Sequence, residues 1–341
     1  MRRSHQITIK DIAKELGISY ATVSRAMRNT HDVSEETRNL VLKKAKELNY
    51  RVNLNATGLV TNKTRNIGVI VPTITNYYFS TVFTGIQNIA YDKGYNVVLY
   101  VTGESTEREI STINSLSLSS IDGLLVCVTE ESLNCSHLSN IIDAGIPIVF
   151  FDRVAEKINT SKVVQNDYDG AMTAVKHLIE QGYKRIAHIT GSRKLSLTKE
   201  RFQGYNDTIK KYKLEFREEW LTYSEFTQES GYRDIWKLWD YKYKPDAIFA
   251  VNDRKAIGAM VALKERGVQI GKEVGVVGFT NDPMASIVTP SLTTIEEPAF
   301  EVGEKACDLL LKHILKKNFI PERVVLNGKL FVRESTQRKL Y

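Results

Sequence analysis

From residue 66 onward the chain repeats one pattern: a short, nearly unbroken apolar run rich in β-branched residues, then a stretch with helical periodicity. IGVIV (67–71), VVLYV (97–101), GLLVCV (123–128) and PIVFF (147–151) form a first set of such runs. VVQN (163–166), RIAHIT (185–190), AIFAV (247–251) and VGVVGF (274–279) form a second. A strand with one wet face alternates apolar and polar residues, whereas an unbroken apolar run is buried on both faces, as in parallel sheets sheathed by helices. Between the first two runs, Val82, Phe83, Ile86, Ile89 and Ala90 return at the period of an amphipathic helix. Strand–helix alternation in two sets of four predicts an α/β body of two doubly wound parallel-sheet lobes.

Residues 1–65 follow a different rule. They hold 13 Lys and Arg against 6 Asp and Glu, which accounts for the whole net charge of +7, while the remaining residues balance. A neutral body with a basic head is the electrostatic footprint of a nucleic-acid binder with a second function. In TIKDIAKEL, Thr8 is placed to cap a helix with Asp11 three residues on, and Ile9, Ile12, Ala13 and Leu16 form one apolar stripe. Gly17 breaks the helix, Ile18 lies in the turn and Ser19 caps a second helix whose Val23, Ala26 and Met27 continue the core. Ser34 opens a third helix, with Thr37, Val41, Ala45 and Leu48 on one side and Glu35 and Glu36 in the first turn. Three short helices, the first two joined by a glycine turn, predict a helix-turn-helix. Ser19, Tyr20, Ala21, Thr22, Ser24 and Arg25 are left on the outer face of the second helix, the part that reaches base edges in the major groove. Arg25 suits the guanine O6 and N7 acceptors, and Ala21 and the Thr22 methyl suit a thymine methyl. The hydroxyls, the first-turn amides and Arg28 suit phosphates.

Other classes are excluded on composition and motif. No apolar run approaches the roughly 20 residues of a membrane helix, and MRRSHQITIKDI has charge with no apolar stretch behind it, unlike a secretory signal. A cytoplasmic protein acting at the nucleoid is expected. Cys127, Cys135 and Cys307 are odd in number and widely spaced, which fits a reducing compartment. Cys135-Ser136-His137 lacks a second pair at metal-finger spacing, so no metal and no cofactor is expected. The chain carries no G-x-G-x-x-G, P-loop, G-x-S-x-G or H-E-x-x-H motif, which argues against an enzyme.

Over residues 7–60 the succession ITIKDIAKELGISYATVSRAMRN, VSEETRNLVLKKAKELNY and NLNATGL resembles the head of the LacI/GalR family of bacterial transcriptional regulators. The resemblance implies that residues 1–52 are the DNA-binding domain, with Thr8, Ile9 and Lys10 among the DNA-binding residues, and that 53–65 are a hinge helix and linker. Within the hinge it implies Asn53 at the DNA and Leu59 as a wedge into a base step of the minor groove, with Ala56 packing beside that wedge. Val52 stands where proline is common, Thr57 where arginine often precedes Gly58, and Arg28 where asparagine is common.

Ligands of open α/β sheets bind outside the carboxyl ends of the strands. At those ends lie Thr75, Asn76, Tyr77, Tyr78 and Phe79, then Asp152 and Arg153, then Arg201, Phe226, Asn252, Asp253, Thr280 and Asn281. Aromatic faces with Asp, Arg and Asn meet the needs of a neutral sugar, although Asp152 and Asn252–Asp253 equally suit the capping of the helices that follow. The body is similar to periplasmic sugar-binding proteins, which implies a two-lobed effector-binding and dimerisation domain over 66–341. Lobe 1 is expected at about 66–161 and 293–322, and lobe 2 at about 162–290 and 325–341. The resemblance names Asn76, Tyr78, Phe79, Asp152, Arg153, Arg201, Phe226 and Asn252 as ligand contacts. In GFTND (278–282) the family's aspartate after GF is replaced by Thr280, leaving Asn281 or Asp282 to substitute, and Glu296 is a further candidate. The expectation is a homodimeric repressor of carbohydrate-utilisation genes that binds a pseudo-palindromic duplex operator under the control of a sugar. The alternatives are a purine, sugar phosphate or protein co-regulator, and more remotely a sugar-modifying enzyme with a DNA-binding head.

Overall fold

The structure, a computed structural model, describes residues 7–27, 32–50, 64–116, 120–129, 135–316 and 318–338. The chain divides into two compact units, Met1–Thr64 and Arg65–Tyr341.

The first unit contains helices α1 (Ile9–Leu16), α2 (Tyr20–Met27) and α3 (Glu35–Glu47). The backbone amide and hydroxyl of Thr8 both donate to Asp11 Oδ2, at 2.8 and 2.7 Å, so the first turn of α1 is closed from both sides. Gly17 ends it at φ +64°, a left-handed conformation that costs glycine nothing. Ser19 Oγ accepts the Thr22 amide at 3.1 Å and Ser34 Oγ the Thr37 amide at 3.3 Å, capping α2 and α3. Ile12, Ala13, Val23, Ala26, Val41 and Ala45 then close a core to which all three helices contribute.

The second unit holds two six-stranded sheets among the described residues. The first contains β1 (Asn66–Val71), β2 (Asn96–Val101), β3 (Gly123–Val126), β4 (Ile148–Phe151), β5 (Lys162–Gln165) and β11 (Arg323–Leu326). Its order is β11-β5-β4-β3-β1-β2, all parallel. The second contains β6 (Ile186–Thr190), β7 (Leu221–Tyr223), β8 (Ala247–Ala250), β9 (Gly275–Thr280), β10 (Thr293–Glu296) and β12 (Lys329–Phe331). Its order is β12-β10-β9-β8-β6-β7, with only β12 antiparallel. Alternate residues of one strand face opposite cores: Ile67, Val69 and Val71 pack on one side of the first sheet and Ile70 on the other. That is why the strands read as unbroken apolar runs.

Three segments sit in a different lobe from the one expected. The 163–166 run belongs to the first sheet as β5, paired with β4 and β11. Residues 293–296 join the second sheet as β10, and 323–326 the first as β11. The chain therefore crosses between lobes at Asn166, at Glu297–Pro298 and at Asn327. An apolar run announces burial on two faces; the sheet it joins depends on hydrogen bonds to residues far along the chain, such as Phe150 N to Ser161 O and Lys162 N to Glu322 O. Four strands, β7, β10, β11 and β12, escaped the pattern: β7 and β12 have only three residues, β10 (TTIE) has a single aliphatic residue, and β11 is only half covered.

Helices α4 (Tyr77–Asp92) and α12 (Ala299–Leu315) cover one face of the first sheet and cross in backbone contact. A Cβ on Gly303 would stand 2.1 Å from Val82 O. Gly303→Ala is expected to lower the urea midpoint of the body, because overpacking of about 1–3 kcal/mol outweighs the roughly 1 kcal/mol by which alanine favours a helix. Circular dichroism during urea unfolding checks this, and an unchanged midpoint would contradict the contact.

Candidate functional site

In the head, burial of Val23 and Ala26 turns the opposite side of α2 outward. Tyr20 is 61% exposed and Arg25 is exposed; Ala21, Thr22 and Ser24 are half-buried. The Ser19 and Thr22 hydroxyls share a 2.9 Å hydrogen bond within the cap, so what Thr22 offers outward is chiefly its methyl. Thr8 and Lys10 are exposed at the start of α1. Ile9 packs its side chain against the head core, as its place in the apolar stripe implies. Only its first-turn amide, which has no intrahelical acceptor, remains for a phosphate. Arg28, Asn53, Ala56 and Leu59 lie outside the described residues.

In the body, strand order reverses between β1 and β3 in one sheet and between β6 and β8 in the other. Crevices open at such switch points, and the two here line a single cleft of about 940 Å³. Asn76, Tyr78, Phe79, Asp152 and Arg153 line it from lobe 1, and Arg201, Phe226, Asn252 and Thr280 from lobe 2. Asn76 Oδ1 also caps α4 by accepting Phe79 N at 2.9 Å. Asn252 caps α10 (Asp253–Glu265) by accepting Lys255 N at 2.8 Å, and its Nδ2 donates to Phe226 O at 3.1 Å. Capping and lining are thus the same act for these two residues.

The cleft is rich in rings and carboxylates. Tyr78 and Phe79 stand edge to face, centroids 5.3 Å apart. The Arg153 guanidinium lies 5.9 Å from the Phe79 centroid and 5.5 Å from that of Phe226, facing an aromatic ring from each lobe. Its Nη1 donates to Glu104 at 2.8 Å and to Thr129 O at 3.3 Å. Asp152 holds a left-handed φ of +59°, and burial raises its carboxyl above the ordinary range although Arg153 opposes this. Burial and that carboxylate push the Tyr78 hydroxyl well above its usual value.

Arg201 lines the cleft floor but is already committed. Its Nε donates to Asp167 Oδ1 at 2.7 Å, its Nη2 to Glu297 Oε1 at 2.7 Å and its Nη1 to Val251 O, while the guanidinium lies 3.7 Å from the Phe279 ring centroid. Gln165 Nε2 reaches both carboxylates at 3.3 Å, and Asn166 Nδ2 donates to Asn327 Oδ1 at 3.0 Å. The passages between the lobes are therefore tied together directly beneath the cleft. Burial pushes Asp167 up to about 7 against the pull of Arg201.

The GFTND segment brings a correction. Thr280 lines the cleft with φ at +129°, but Asn281 does not. Asn281 Nδ2 donates to Glu296 Oε1 at 3.0 Å and its Oδ1 accepts Arg333 Nη2 at 2.7 Å, so Asn281 and Glu296 hold the loop instead. The neighbouring Glu297 lines the cleft in place of Glu296. Glu104, Thr129, Ser192 and Ser224 were missed as well. Thr129 and Ser192 follow strands β3 and β6, so the strand-end rule applied evenly would have found both.

The lining carboxylates are Glu104, Glu107, Asp152, Glu225 and Glu297, against the guanidiniums of Arg153, Arg201 and Arg254. The two buried arginines already face carboxylates. Replacing Arg201 by Met leaves Asp167 and Glu297 buried without it and is expected to cost about 3–5 kcal/mol, read as a fall in the urea midpoint; a loss under about 1 kcal/mol would mean the cluster is not structural.

The profile of a family described as "Bacterial regulatory proteins, lacI family" matches residues 8–53, and that of a "Periplasmic binding protein-like domain" matches residues 175–336. The HTH-type transcriptional repressor PurR of Vibrio vulnificus (strain CMCP6) is 32% identical over 333 residues, covering 97% of this chain and 99% of its own. The solved transcriptional regulator CelR–cellobiose complex is 27% identical over 96% of this chain and 99% of its own, with a TM-score of 0.74. The lac repressor dimer bound to operator and the anti-inducer ONPF, at 24% identity over 97% of this chain and 99% of its own, shares the fold with a TM-score of 0.86. Among the described residues no helix is long and apolar enough to cross a membrane.

Proposed function

We propose, for a chain that belongs to the lacI family of bacterial regulatory proteins and is a DNA-binding transcriptional repressor, that a small neutral sugar in the interlobe cleft governs its hold on the operator. The observation that carries this reading is the charge balance of the cleft. Its two buried arginines are bound to carboxylates, carboxylates outnumber guanidiniums, and the rest of the lining is aromatic rings, hydroxyls, the amides Asn76 and Asn252 and the apolar Leu195 and Leu197. Rings take the C–H faces of a sugar and hydroxyls and carboxylates take its O–H groups. A phosphate or carboxylate on the ligand would meet five lining carboxylates against three guanidiniums, two of which already face carboxylates, which disfavours the sugar-phosphate alternative. The relative CelR forms a complex with cellobiose, a neutral sugar. A purine is the second reading: Tyr78, Phe79 and Phe226 offer faces to a flat heterocycle, and the relatives include PurR repressors.

In this reading a homodimer in the cytoplasm sets two heads on a pseudo-palindromic duplex. Ser19, Tyr20, Ala21, Thr22, Ser24 and Arg25 enter the major groove. Thr8, Lys10, Arg28 and the Ile9 amide hold phosphates, and Asn53, Ala56 and Leu59 serve the hinge and its wedge. The target genes serve carbohydrate use. The sugar acts by binding the two conformations of the dimer with different affinity.

Thermal unfolding against neutral mono- and disaccharides, sugar phosphates and purines tests the cleft. At 100 times Kd a ligand adds about 2.7 kcal/mol, and that rise is expected with a neutral sugar. A rise with purines alone moves the assignment to the second reading, and a rise with sugar phosphates alone overturns the cleft chemistry. For the head, duplexes selected from a randomised library by wild type and by Arg25→Ala should differ at one base position per half-site, with a loss there of about 1–3 kcal/mol. Identical preferences would remove Arg25 from the groove.

A further inference from the structure

Lys255 is fully buried, at 0% exposure, on the first turn of α10. Its Nζ donates to Thr190 O, to Ser224 Oγ at 2.6 Å and to Asp234 Oδ2 at 2.9 Å. Asp234, 3% exposed on the helix Gln228–Asp240, also accepts the hydroxyls of Thr222 at 3.0 Å and Ser224 at 2.8 Å. One ammonium thus joins the end of β6, the residue after β7 and the following helix. Ser224 opens the segment 224–227, and Ser224, Glu225, Phe226 and Thr227 all line the cleft.

An ion pair taken wholly out of water is seldom more stabilising than a well-packed apolar pair of the same volume. Burial lowers the pKa of Lys255 below its ordinary value even with Asp234 beside it. Stability alone therefore does not account for a lysine at this place, whereas geometry does. Beyond its first residue, segment 224–227 is tied by Ser230 Oγ to Glu225 O at 2.6 Å and to Thr227 O at 2.8 Å, by Asn252 Nδ2 to Phe226 O at 3.1 Å, and at Gly191, where a Cβ would stand 2.2 Å from the Phe226 ring; at its first residue Ser224 N also donates to Thr190 O. Lys255 holds the entrance to the segment from beneath, where water cannot compete.

We propose that Lys255 is a positioning residue for the effector cleft: with Asp234 and Ser224 it fixes segment 224–227, and so the Phe226 ring, in the place from which it meets a ligand. The proposal rests on the cleft being the effector site.

The test is amide hydrogen exchange across residues 223–227 in the full chain, compared with helix α4 of the other lobe. Lys255→Met alone leaves a buried carboxylate uncompensated and lowers global stability. The double variant Lys255→Met/Asp234→Asn restores charge balance but not the link from Lys255 to Ser224 and Thr190. In the double variant, exchange at 223–227 is expected to quicken by about tenfold while α4 stays as in wild type. Wild-type protection at 223–227 would reduce Lys255 to a charge partner of Asp234 and overturn the proposal. Ser224→Ala, which leaves the ion pair intact, is expected to loosen the same segment and decides the matter if the double variant does not fold; unaltered exchange there would again overturn it. The measurement needs no effector, so a ligand panel that finds nothing sinks the cleft reading and not this test.

Discussion

Where the chain passes between the lobes, at Asn166, Glu297 and Asn327, side chains from the first two passages converge on one buried guanidinium. Arg201 receives Asp167 from just beyond the first passage and Glu297 from the second, and the third is bound to the first through Asn166 and Asn327. Stripping three charged groups of water is costly, by several kcal/mol per ion, and is sustained only where each finds its partner at good geometry. The cluster therefore demands one arrangement of the passages, and the cleft above inherits it. It also consumes the positive charge that would otherwise have drawn an anion to the floor, so the interaction that joins the lobes also narrows the chemistry of what lies between them.

The walls of the cleft follow from a second economy. In each doubly wound lobe a strand ends, the chain turns, and a helix begins at the cleft. Asn76 and Asn252 cap those helices and face the cleft together. Helix N-termini carry partial positive charge, which helps the site tolerate an excess of carboxylates. Asp253, in the first turn of α10, shows the balance: burial pushes it up to about 7, while the Thr294 hydroxyl at 2.6 Å and the Asp282 amide at 2.8 Å favour its charged form. Three non-glycine residues at the cleft, Glu104, Asp152 and Thr280, take positive φ, a strain that surrounding bonds hold in place. Lys255 applies to one segment of lobe 2 the device that Arg201 applies to the passages between the lobes: a buried cation used for position.

What the sequence determined by itself is what neighbours in the chain decide. The caps at Thr8, Ser19 and Ser34, the left-handed Gly17, the alternation of apolar runs with helices and the confinement of positive charge to the first 65 residues all rest on interactions a few residues long or on composition. The tertiary structure decided whatever depends on partners far away in the chain. It sent 162–165 and 323–326 to the first sheet and 293–296 to the second, because a parallel strand is assigned by the strand that bonds to it. It turned Asn281 onto Glu296 and Arg333, put Glu297 in the cleft and occupied Arg201 with two carboxylates. Residue type says what a side chain is able to bind; only the assembled fold, by bringing distant donors and acceptors within hydrogen-bonding reach and excluding water from between them, decides what it does bind.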